Sequence, residues 1–413
     1  MRPGARPAMT AQNLRHLRLF TAVARLKTLT AVAEAWHISQ PAVTQAITKL
    51  ERETGGSLFQ RSRHGFFLTP RGHILQHRVD SAFALLDPVL EEISPRLKTT
   101  LTQAQLQALI AVGESENFTL AARRLALAQP TVHRAVTQVE QESARSLFER
   151  TAFGILPTRL CQSLIQAARL ALYELDQAAA ELSEFDGEEA GSVVVGAMPL
   201  ARSTLLPRAL RRFRLEHPTC PVRILDGPYD ELLGGLRRGS IDLLVGALRV
   251  PAPIGDVVQT PLFHDRLALL AGPGHPLAGR PTPSIEDLLA YPWVVPRTGT
   301  PTRDQFETLF TAAGYRPPAP IIESGSLLLI RELLTDGRHL GCLSRHQSQP
   351  ECEHGLLVAL AFPTDHLLRP IGITTRANWR PTRAQKRMMA LITAEGEDAA
   401  RHQAQSQDAG LGA

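Results

Sequence analysis

Four cysteines in 413 residues, scattered at Cys161, Cys220, Cys342 and Cys352, do not make the framework of a disulfide-stapled secreted fold; they suit a reducing compartment. No run approaches the roughly 18 apolar residues that a membrane span needs. The opening stretch "MRPGARPAMTAQ" has no apolar segment that would serve as a signal peptide, so the expected location is the cytoplasm. Catalytic signatures are missing as well: there is no Gly-x-Gly-x-x-Gly, phosphate loop, Gly-x-Ser-x-Gly or His-Glu-x-x-His. The chain therefore reads as a binding protein without a cofactor, and not as an enzyme. Cys342, His346, Cys352 and His354 fall within 13 residues, but their spacing matches no standard zinc pair. They read as ordinary strand and loop residues, and no metal is expected.

What is present is ample core and a mild basic balance. At 44% hydrophobic residues the chain can bury real cores, and its length allows two or three domains. The net charge of +5 permits nucleic-acid contact without requiring it. Its placement is more telling: Gln12 to Gly72 holds 9 Lys and Arg against 3 acids, whereas Leu101 to Arg159 holds 6 against 5.

Those two segments are related. Shifting the sequence by 89 residues aligns Ala22-Val23 with Ala111-Val112, Gln40-Pro41 with Gln129-Pro130, Ser57-Leu58-Phe59 with Ser146-Leu147-Phe148, and Arg61 with Arg150. From Leu17 to Thr69, 18 of 53 positions are identical without a gap, the signature of a repeated unit.

Within copy one, Leu17, Phe20, Val23 and Ala24 recur at helical spacing, and Thr30 is placed to cap a second helix carrying Ala33. Ser39 is placed to cap a third, with Pro41 in its first turn, where a missing N–H costs nothing. Val43, Ile47 and Leu50 form its buried stripe, leaving Gln40, Thr44, Gln45, Thr48 and Lys49 outward. Two helices joined by a tight turn, the later one capped and presenting Gln, Thr and Lys, are what reading the DNA major groove requires. "FQRSRHGFFLTPRG" follows, with Arg61 and Arg63 on an expected two-stranded wing suited to phosphate or minor-groove contact.

The run from Leu17 to Gly72 resembles the winged helix-turn-helix of LysR-type transcriptional regulators. Ser39-Gln40-Pro41-Ala42-Val43, Leu50-Glu51, Leu58-Phe59 and Leu68-Thr69-Pro70 fall on the family's motif positions. Copy two departs from the pattern: Ala128 replaces the capping Ser39, and "LPTRLC" stands where the Leu-Thr-Pro-x-Gly wing ending belongs. Gln129, Pro130, His133, Arg134 and Arg150 remain its candidate DNA contacts; a structural spacer is the other reading of this copy.

Between and after the copies lie helical stretches. Leu75, Val79, Ala82, Leu86, Val89 and Ile93 keep a coiled-coil spacing that Asp87-Pro88 interrupts, so a kink is expected, with Asp87 capping a restart. Leu160, Leu164, Ala167, Ala171, Leu175, Ala178 and Leu182 form an uninterrupted apolar face, which the resemblance marks as the dimerisation helix.

From Gly191 the pattern changes to strands alternating with helices, implying a parallel sheet. Leu206-Pro207, His217-Pro218, Asp242-Leu243 and "ALLAGPGHPLAG" resemble the LysR-type effector domain, itself similar to periplasmic solute-binding proteins. The fold expected is multidomain. Two all-α winged helix-turn-helix domains (12–72 and 101–159) carry helical linkers (73–97 and 160–187). An α/β two-lobed domain follows (191–395), with lobe I about 191–260 and 364–395 and lobe II about 261–363.

The resemblance places the effector cleft at Pro199, Arg202 and Ser203; Gly246 and Leu248; Thr298, Gly299, Thr300 and Arg303; and Ser324 and Ser326. Arg202, Arg297 and Arg303 are candidate carboxylate partners there. "GPYDELLGGLRRGSIDLLVGALR" and "CLSRHQ" further resemble regulators of sugar-binding-protein and aromatic-acid catabolic genes. The implied partners are double-stranded promoter DNA, a small-molecule effector (a sugar or an aromatic or organic acid), further copies of the chain in a homodimer or homotetramer, and RNA polymerase. The alternative function is a constitutive DNA-binding regulator whose effector domain no longer binds ligand.

Overall fold

The computed structural model describes residues 13–410 apart from Phe153, Pro253, Pro320 and Asp365; the opening stretch through Gln12, on which the signal-peptide expectation rests, lies outside the described residues. Two compact units divide at Gly191/Ser192.

The first unit opens with α1 (Leu14–Leu26), capped by Asn13, and α2 (Leu29–Ala35). The α2 cap is Thr28, whose hydroxyl accepts from the Ala31 N–H, and not Thr30 as expected. The helix thus starts earlier, because Leu29 is needed in the core. Next come α3 (Gln40–Thr54), capped by Ser39 with Pro41 in its first turn, the hairpin β1 (Phe59–Ser62) and β2 (Gly65–Leu68), and the long α4 (Pro70–Ile93).

After the short α5 (Leu97–Thr100) the same order recurs: α6 (Gln103–Ser115), α7 (Phe118–Leu125), α8 (Gln129–Ser143), β3 (Phe148–Thr151), β4 (Gly154–Pro157) and α9 (Arg159–Phe185). Apart from their two-stranded wings, both sets are helical. The altered wing ending in the second set changes little. β3 and β4 pair Phe148 with Pro157 as β1 and β2 pair Phe59 with Leu68, and Thr158 caps α9 as Thr69 caps α4.

The identities between the two segments have local physical causes. Glu51 accepts from the Leu58 N–H at 2.8 Å, and Glu140 accepts from the Leu147 N–H at 2.7 Å, so each carboxylate ties the third helix to the start of its wing. At the wing turns Gly65 and Gly154 have φ of +117° and +143°. A Cβ on Gly65 would lie 2.5 Å from the Lys27 carbonyl oxygen, which receives the Phe66 N–H. Only glycine fits that approach.

α4 is continuous through Pro88, against the expected restart at Asp87. The Asp87 carboxylate is occupied elsewhere, accepting two hydrogen bonds from Arg18 (2.5 and 3.1 Å), while the Arg18 guanidinium also lies over the Phe83 ring. The apolar stripe of α9 is likewise covered within the chain. α4 and α9 pack along each other, burying Leu164, Ala167, Ala171, Leu175, Ala178 and Leu182 from one and Leu75, Val79, Ala82, Leu86 and Ile93 from the other. One hydrophobic core runs through both sets, from Leu14 to Leu182. The face expected to meet a second chain is therefore filled by the chain's own α4.

The second unit contains β5 (Val193–Ala197), α10 (Pro199–Ser203), α11 (Leu205–Glu216), β6 (Val222–Leu225), α12 (Tyr229–Arg237), β7 (Leu243–Ala247) and the 15-residue β8 (Val257–Ala271). Then follow α13 (Ile285–Leu289), β9 (Trp293–Val295), α14 (Pro301–Thr311), β10 (Ile321–Glu323), α15 (Leu327–Leu334), β11 (Leu340–Ser344), α16 (Arg345–Glu353), β12 (Val358–Ala359), β13 (Leu368–Arg376) and α17 (Arg383–Gly410). Within each lobe three strands are parallel, β6-β5-β7 and β10-β9-β11. β8 and β13 run antiparallel to their neighbours, which alternation alone did not reveal, so the sheet is mixed. β8 passes through both lobes: Val257 to Arg266 pair with β13, and Leu267 to Ala271 pair with β11. The changeover lies a few residues beyond the lobe boundary expected at about 260/261.

Copy two carries one mismatch with a measurable consequence. Asp176 occupies the place of Asp87, but Gln107 stands where Arg18 would pair with it. One Asp176 carboxylate oxygen is buried without a hydrogen-bond partner among the described residues, and burial raises the pKa of the group to about 6. A carboxyl whose folded pKa is raised weakens the fold when ionised. The penalty is full above pH 6 and disappears as pH falls toward 4, where the folded state has taken up the proton. Asp176→Asn should stabilise the protein by about 1–2 kcal/mol at pH 7.5, the cost of holding so raised a carboxyl ionised, discounted for partial exposure. Thermal unfolding at pH 7.5 and pH 4.5 checks this: a gain that does not shrink at the lower pH assigns the effect to something other than the Asp176 charge.

Candidate functional site

The outward face of each third helix carries a continuous run of polar side chains. On α3, Gln40, Pro41, Thr44, Gln45, Thr48, Lys49 and Arg52 line one continuous outward-facing strip. Val43, Ile47 and Leu50 are buried beneath it. The Thr44 hydroxyl donates back to the Gln40 carbonyl at 3.1 Å, while Gln45 and Thr48 are exposed with no hydrogen bond from their side chains among the described residues. Lys49 reaches Glu53 only loosely, at 3.8 Å. Arg61 is exposed on β1 with its guanidinium 5.3 Å from the Phe66 ring centroid, and Arg63 is exposed in the wing turn. Arg52 belongs to the same strip; its position three residues after Lys49 was the signal that helical periodicity offered.

On α8 the matching strip is Gln129, Pro130, His133, Arg134, Thr137, Gln138 and Gln141. Ala128 makes no side-chain cap, which costs this helix about 1 kcal/mol relative to a serine. His133 packs its ring against Phe118 at 5.0 Å and shares a 3.4 Å contact with Thr137, leaving Arg134 as the strip's cation. Gln138 and Gln141 stand where copy one has Lys49 and Arg52, and Arg150 is exposed on β3.

In the second unit the expected cleft residues do gather at the carboxyl ends of the parallel strands, though many already have local roles. Pro199, Arg202 and Ser203 form α10 after β5, and Arg202 pairs with the exposed Asp226 at 2.7 Å. Gly246 has φ +159°, and a Cβ there would sit 2.6 Å from that of Met198; its bareness serves packing. The Leu248 N–H donates to the Pro370 carbonyl. Thr298 donates to Glu323, Gly299 takes φ +79°, and Thr300 caps α14. Ser324 accepts from the Ser326 N–H, and Ser326 caps α15. Arg297 is exposed. Arg303 is buried with its guanidinium taken by Glu307 and Glu323 at 2.7 and 2.9 Å, so it is already neutralised.

Sequence reading missed two groups. Arg249, the residue after Leu248, lies over the Tyr229 ring at 4.3 Å, and burial lowers its pKa. Its Nη1, the Tyr229 hydroxyl and the Gln305 Oε1 are all buried without hydrogen-bond partners among the described residues. The second group sits at the hinge strands. Asp265 on β8 is fully buried, accepting from Arg369 on β13 at 2.9 Å and from the His346 N–H at 3.2 Å. The His346 ring meets the Thr204 hydroxyl at 2.5 Å, joining α16 to the start of α11. Cys342 is buried in β11, Cys352 is half-buried, and His354 bonds the Pro350 carbonyl. Among the described residues no three His, Cys, Asp or Glu side chains gather as a metal would need.

A capped recognition-type helix with a basic wing, joined to a two-lobed α/β unit, defines a DNA-binding regulator of the ligand-sensing class. Family comparison agrees: the family described as "LysR substrate binding domain" matches residues 186–397, and "Bacterial regulatory helix-turn-helix protein, lysR family" matches residues 14–73 and 103–162. The HTH-type transcriptional regulator GalR of Pseudomonas putida is 34% identical over 383 residues, 92% of this chain and 96% of its own length. PcaQ of Agrobacterium fabrum is 28% identical, aligning 94% of its length with 71% of this chain. In fold, the chain is similar to a full-length OxyR variant from Pseudomonas aeruginosa (TM-score 0.52, 21% identity, 71% of this chain and 93% of that one). It is likewise similar to CbnR complexed with its target DNA (TM-score 0.50, 21% identity, 70% and 98%). The chain belongs to the LysR family of bacterial transcriptional regulators.

Replacing Gln45 with alanine should cost about 1–3 kcal/mol on the preferred site and relax base preference at one position. Arg61→Ala should instead weaken binding to every sequence and flatten the slope of log affinity against log salt by about one unit. Anisotropy titrations at several salt concentrations, on cognate and scrambled duplexes, separate the two effects. Unchanged affinity in both variants would remove α3 and its wing from the groove.

Proposed function

We propose that this regulator carries a duplicated winged helix-turn-helix, that both copies contact promoter DNA, and that its second unit senses a small organic acid. The observation that carries the reading is the recurrence, 89 residues on, of cap, helix, wing and long helix, each time with a polar strip facing out. Chain lengths support it: PcaQ is nearly spanned by 71% of this chain, leaving room for one further unit, whereas GalR aligns over nearly its whole length. Copy one supplies the phosphate grip through Lys49, Arg52, Arg61 and Arg63. Copy two reads bases with His133 and Arg134, an arginine being able to hold guanine by two hydrogen bonds. The protein works in the cytoplasm by binding and not by turnover; among the described residues no helix is long and apolar enough to cross a membrane.

The effector chemistry follows from Arg249. A desolvated guanidinium with an unfilled donor beside an unfilled phenol hydroxyl favours a carboxylate that bears a further polar group over a neutral sugar. Pro199, Ser203, Leu248, Thr298, Gly299 and Ser324 supply the surrounding wall, and closure of the lobes on the acid shifts how the DNA-reading units are presented.

Two experiments test the reading. Footprints on the upstream DNA should differ between wild type and His133→Ala with Arg134→Ala, the variant losing a discrete set of protected bases and keeping the rest; identical footprints would make copy two a spacer. In thermal-shift screens of aromatic and aliphatic carboxylic acids against neutral sugars and amides, at least one acid should stabilise the wild type and fail to stabilise Arg249→Met. A neutral compound that stabilises both equally would overturn the acid assignment.

A further inference from the structure

α4 and α9 are matched by charge as well as by shape, and the match is one-sided. They run antiparallel: Arg71 near the start of α4 pairs with Asp186 just past the end of α9. Two turns further on, Arg78 is 1% exposed and is held by two carboxylates of α9. Its Nη1 donates to Glu174 at 2.8 Å, and Nε and Nη2 form a fork on Glu181 at 3.0 and 2.5 Å. At these sites every cation is on α4, and every anion is on or just after α9.

The 89-residue repeat shows what the alternative pairings would contain. Arg71 and Arg78 correspond to Leu160 and Ala167 of α9, while Glu174, Glu181 and Asp186 correspond to Leu85, Glu92 and Leu97. Were two α9 helices to pair in the same register, Ala167 would face Glu174 and Glu181, leaving buried carboxylates without a cation. Were two α4 helices to pair, Arg78 would face Leu85 and Glu92, losing one of its two carboxylates, and Arg71 would face leucine. A buried charge without its partner is strongly disfavoured, so such residues choose partners even where they add little net stability.

We propose that α4 and α9 are a heterotypic pair by which one chain joins its two winged units into a single module on its own, and that their charges exclude α4–α4 and α9–α9 pairing between chains. This rests on the duplicated-unit reading but not on copy two touching DNA. Contacts between chains then fall to surfaces other than the α9 stripe, and one chain already presents both α3 and α8.

Charge exchange in full-length protein tests the pairing, read by thermal unfolding and by affinity for a promoter fragment. Arg78→Glu alone, and Glu174→Arg with Glu181→Arg alone, should each lower the melting temperature and weaken binding about tenfold or more. Combining all three substitutions in one chain should restore most of both. Mixing the two defective chains should restore neither, because each carries its mismatch in cis. Restoration by mixing would overturn the proposal, showing that α4 pairs with α9 of another chain. Arg78→Glu behaving as wild type would also overturn it. If the triple variant fails to fold, spin labels at His73→Cys and Phe185→Cys in a Cys352→Ser background answer the same question by pulsed resonance. A short distance that survives tenfold dilution with unlabelled chain supports a pair within one chain; its loss on dilution refutes it. Should the pair pass while the His133 and Arg134 footprint stays unchanged, only the composite DNA site is lost and the pairing stands.

Discussion

Everything in the first unit hangs on a guanidinium that cannot reach water. Arg78 lies between α4 and α9 with Glu174 and Glu181 taking its donors. Burial pulls its pKa down, and the hydrogen bonds to Glu181 and Glu174 more than reverse the pull, so it stays charged. The net stability from such a triad is modest, since desolvating three charges nearly offsets their attraction. What it supplies is register: a slip by one turn would bury charge against Leu or Ala. Because α4 follows directly from one wing and α9 from the other, with Thr69 and Thr158 capping the junctions, fixing their register also fixes where α3 and α8 are held.

The second unit solves a comparable problem at its hinge. β8 passes through both lobes with β13 beside it in one of them, and the buried Asp265 carboxylate accepts from Arg369 of β13 and from the His346 N–H of α16. Arg369 also donates to Thr302 on α14, and His346 reaches Thr204 at the head of α11. One carboxylate thus links the helices behind both lobes to the strands about which they would move. Burial lowers the His346 pKa against the pull of Asp265, so the ring favours the neutral state in which a ring nitrogen can accept from the Thr204 hydroxyl.

Much of this was legible in the sequence wherever the cause was local. Ser39, Pro41 and the stripe of Val43, Ile47 and Leu50 are read from spacing within one helix, and the wing follows from residues that bracket a glycine turn. The 89-residue repeat was legible because the shared residues, Glu51 with Leu58 and Glu140 with Leu147, satisfy one another over seven positions. Illegible features share a different trait, partners far apart in the chain. Asp87 looked like a helix cap because Arg18, 69 positions away, could not be foreseen as its partner. The α9 stripe looked intermolecular because its covering helix lies about 100 positions earlier, at Arg78. Arg303 resembled a ligand-binding arginine until Glu307 and Glu323 were seen to hold it, while Arg249, one residue past the expected cleft residue Leu248, keeps a buried donor unfilled among the described residues.

The two heads that α4 and α9 hold are not equivalent, and the difference follows from single substitutions between the copies. Copy one keeps Lys49, Arg52, Arg61 and Arg63 on its helix and wing; the corresponding residues of copy two are Gln138, Gln141, Arg150 and Ala152. Three of four cations are gone, and the Ser39 cap with them. Phosphate contact supplies affinity and register along the duplex, whereas bidentate side chains supply base choice. A head stripped of the first but carrying His133 and Arg134 in place of Thr44 and Gln45 cannot hold DNA well alone. On the proposed reading, in which both copies contact DNA, tethering through α9 to a head that can lets it act at high local concentration, and its weak intrinsic grip would then favour discrimination over indiscriminate binding. The proposed division of labour would need the heads to be rigidly joined, and the charge-matched α4 and α9 are packed to join them.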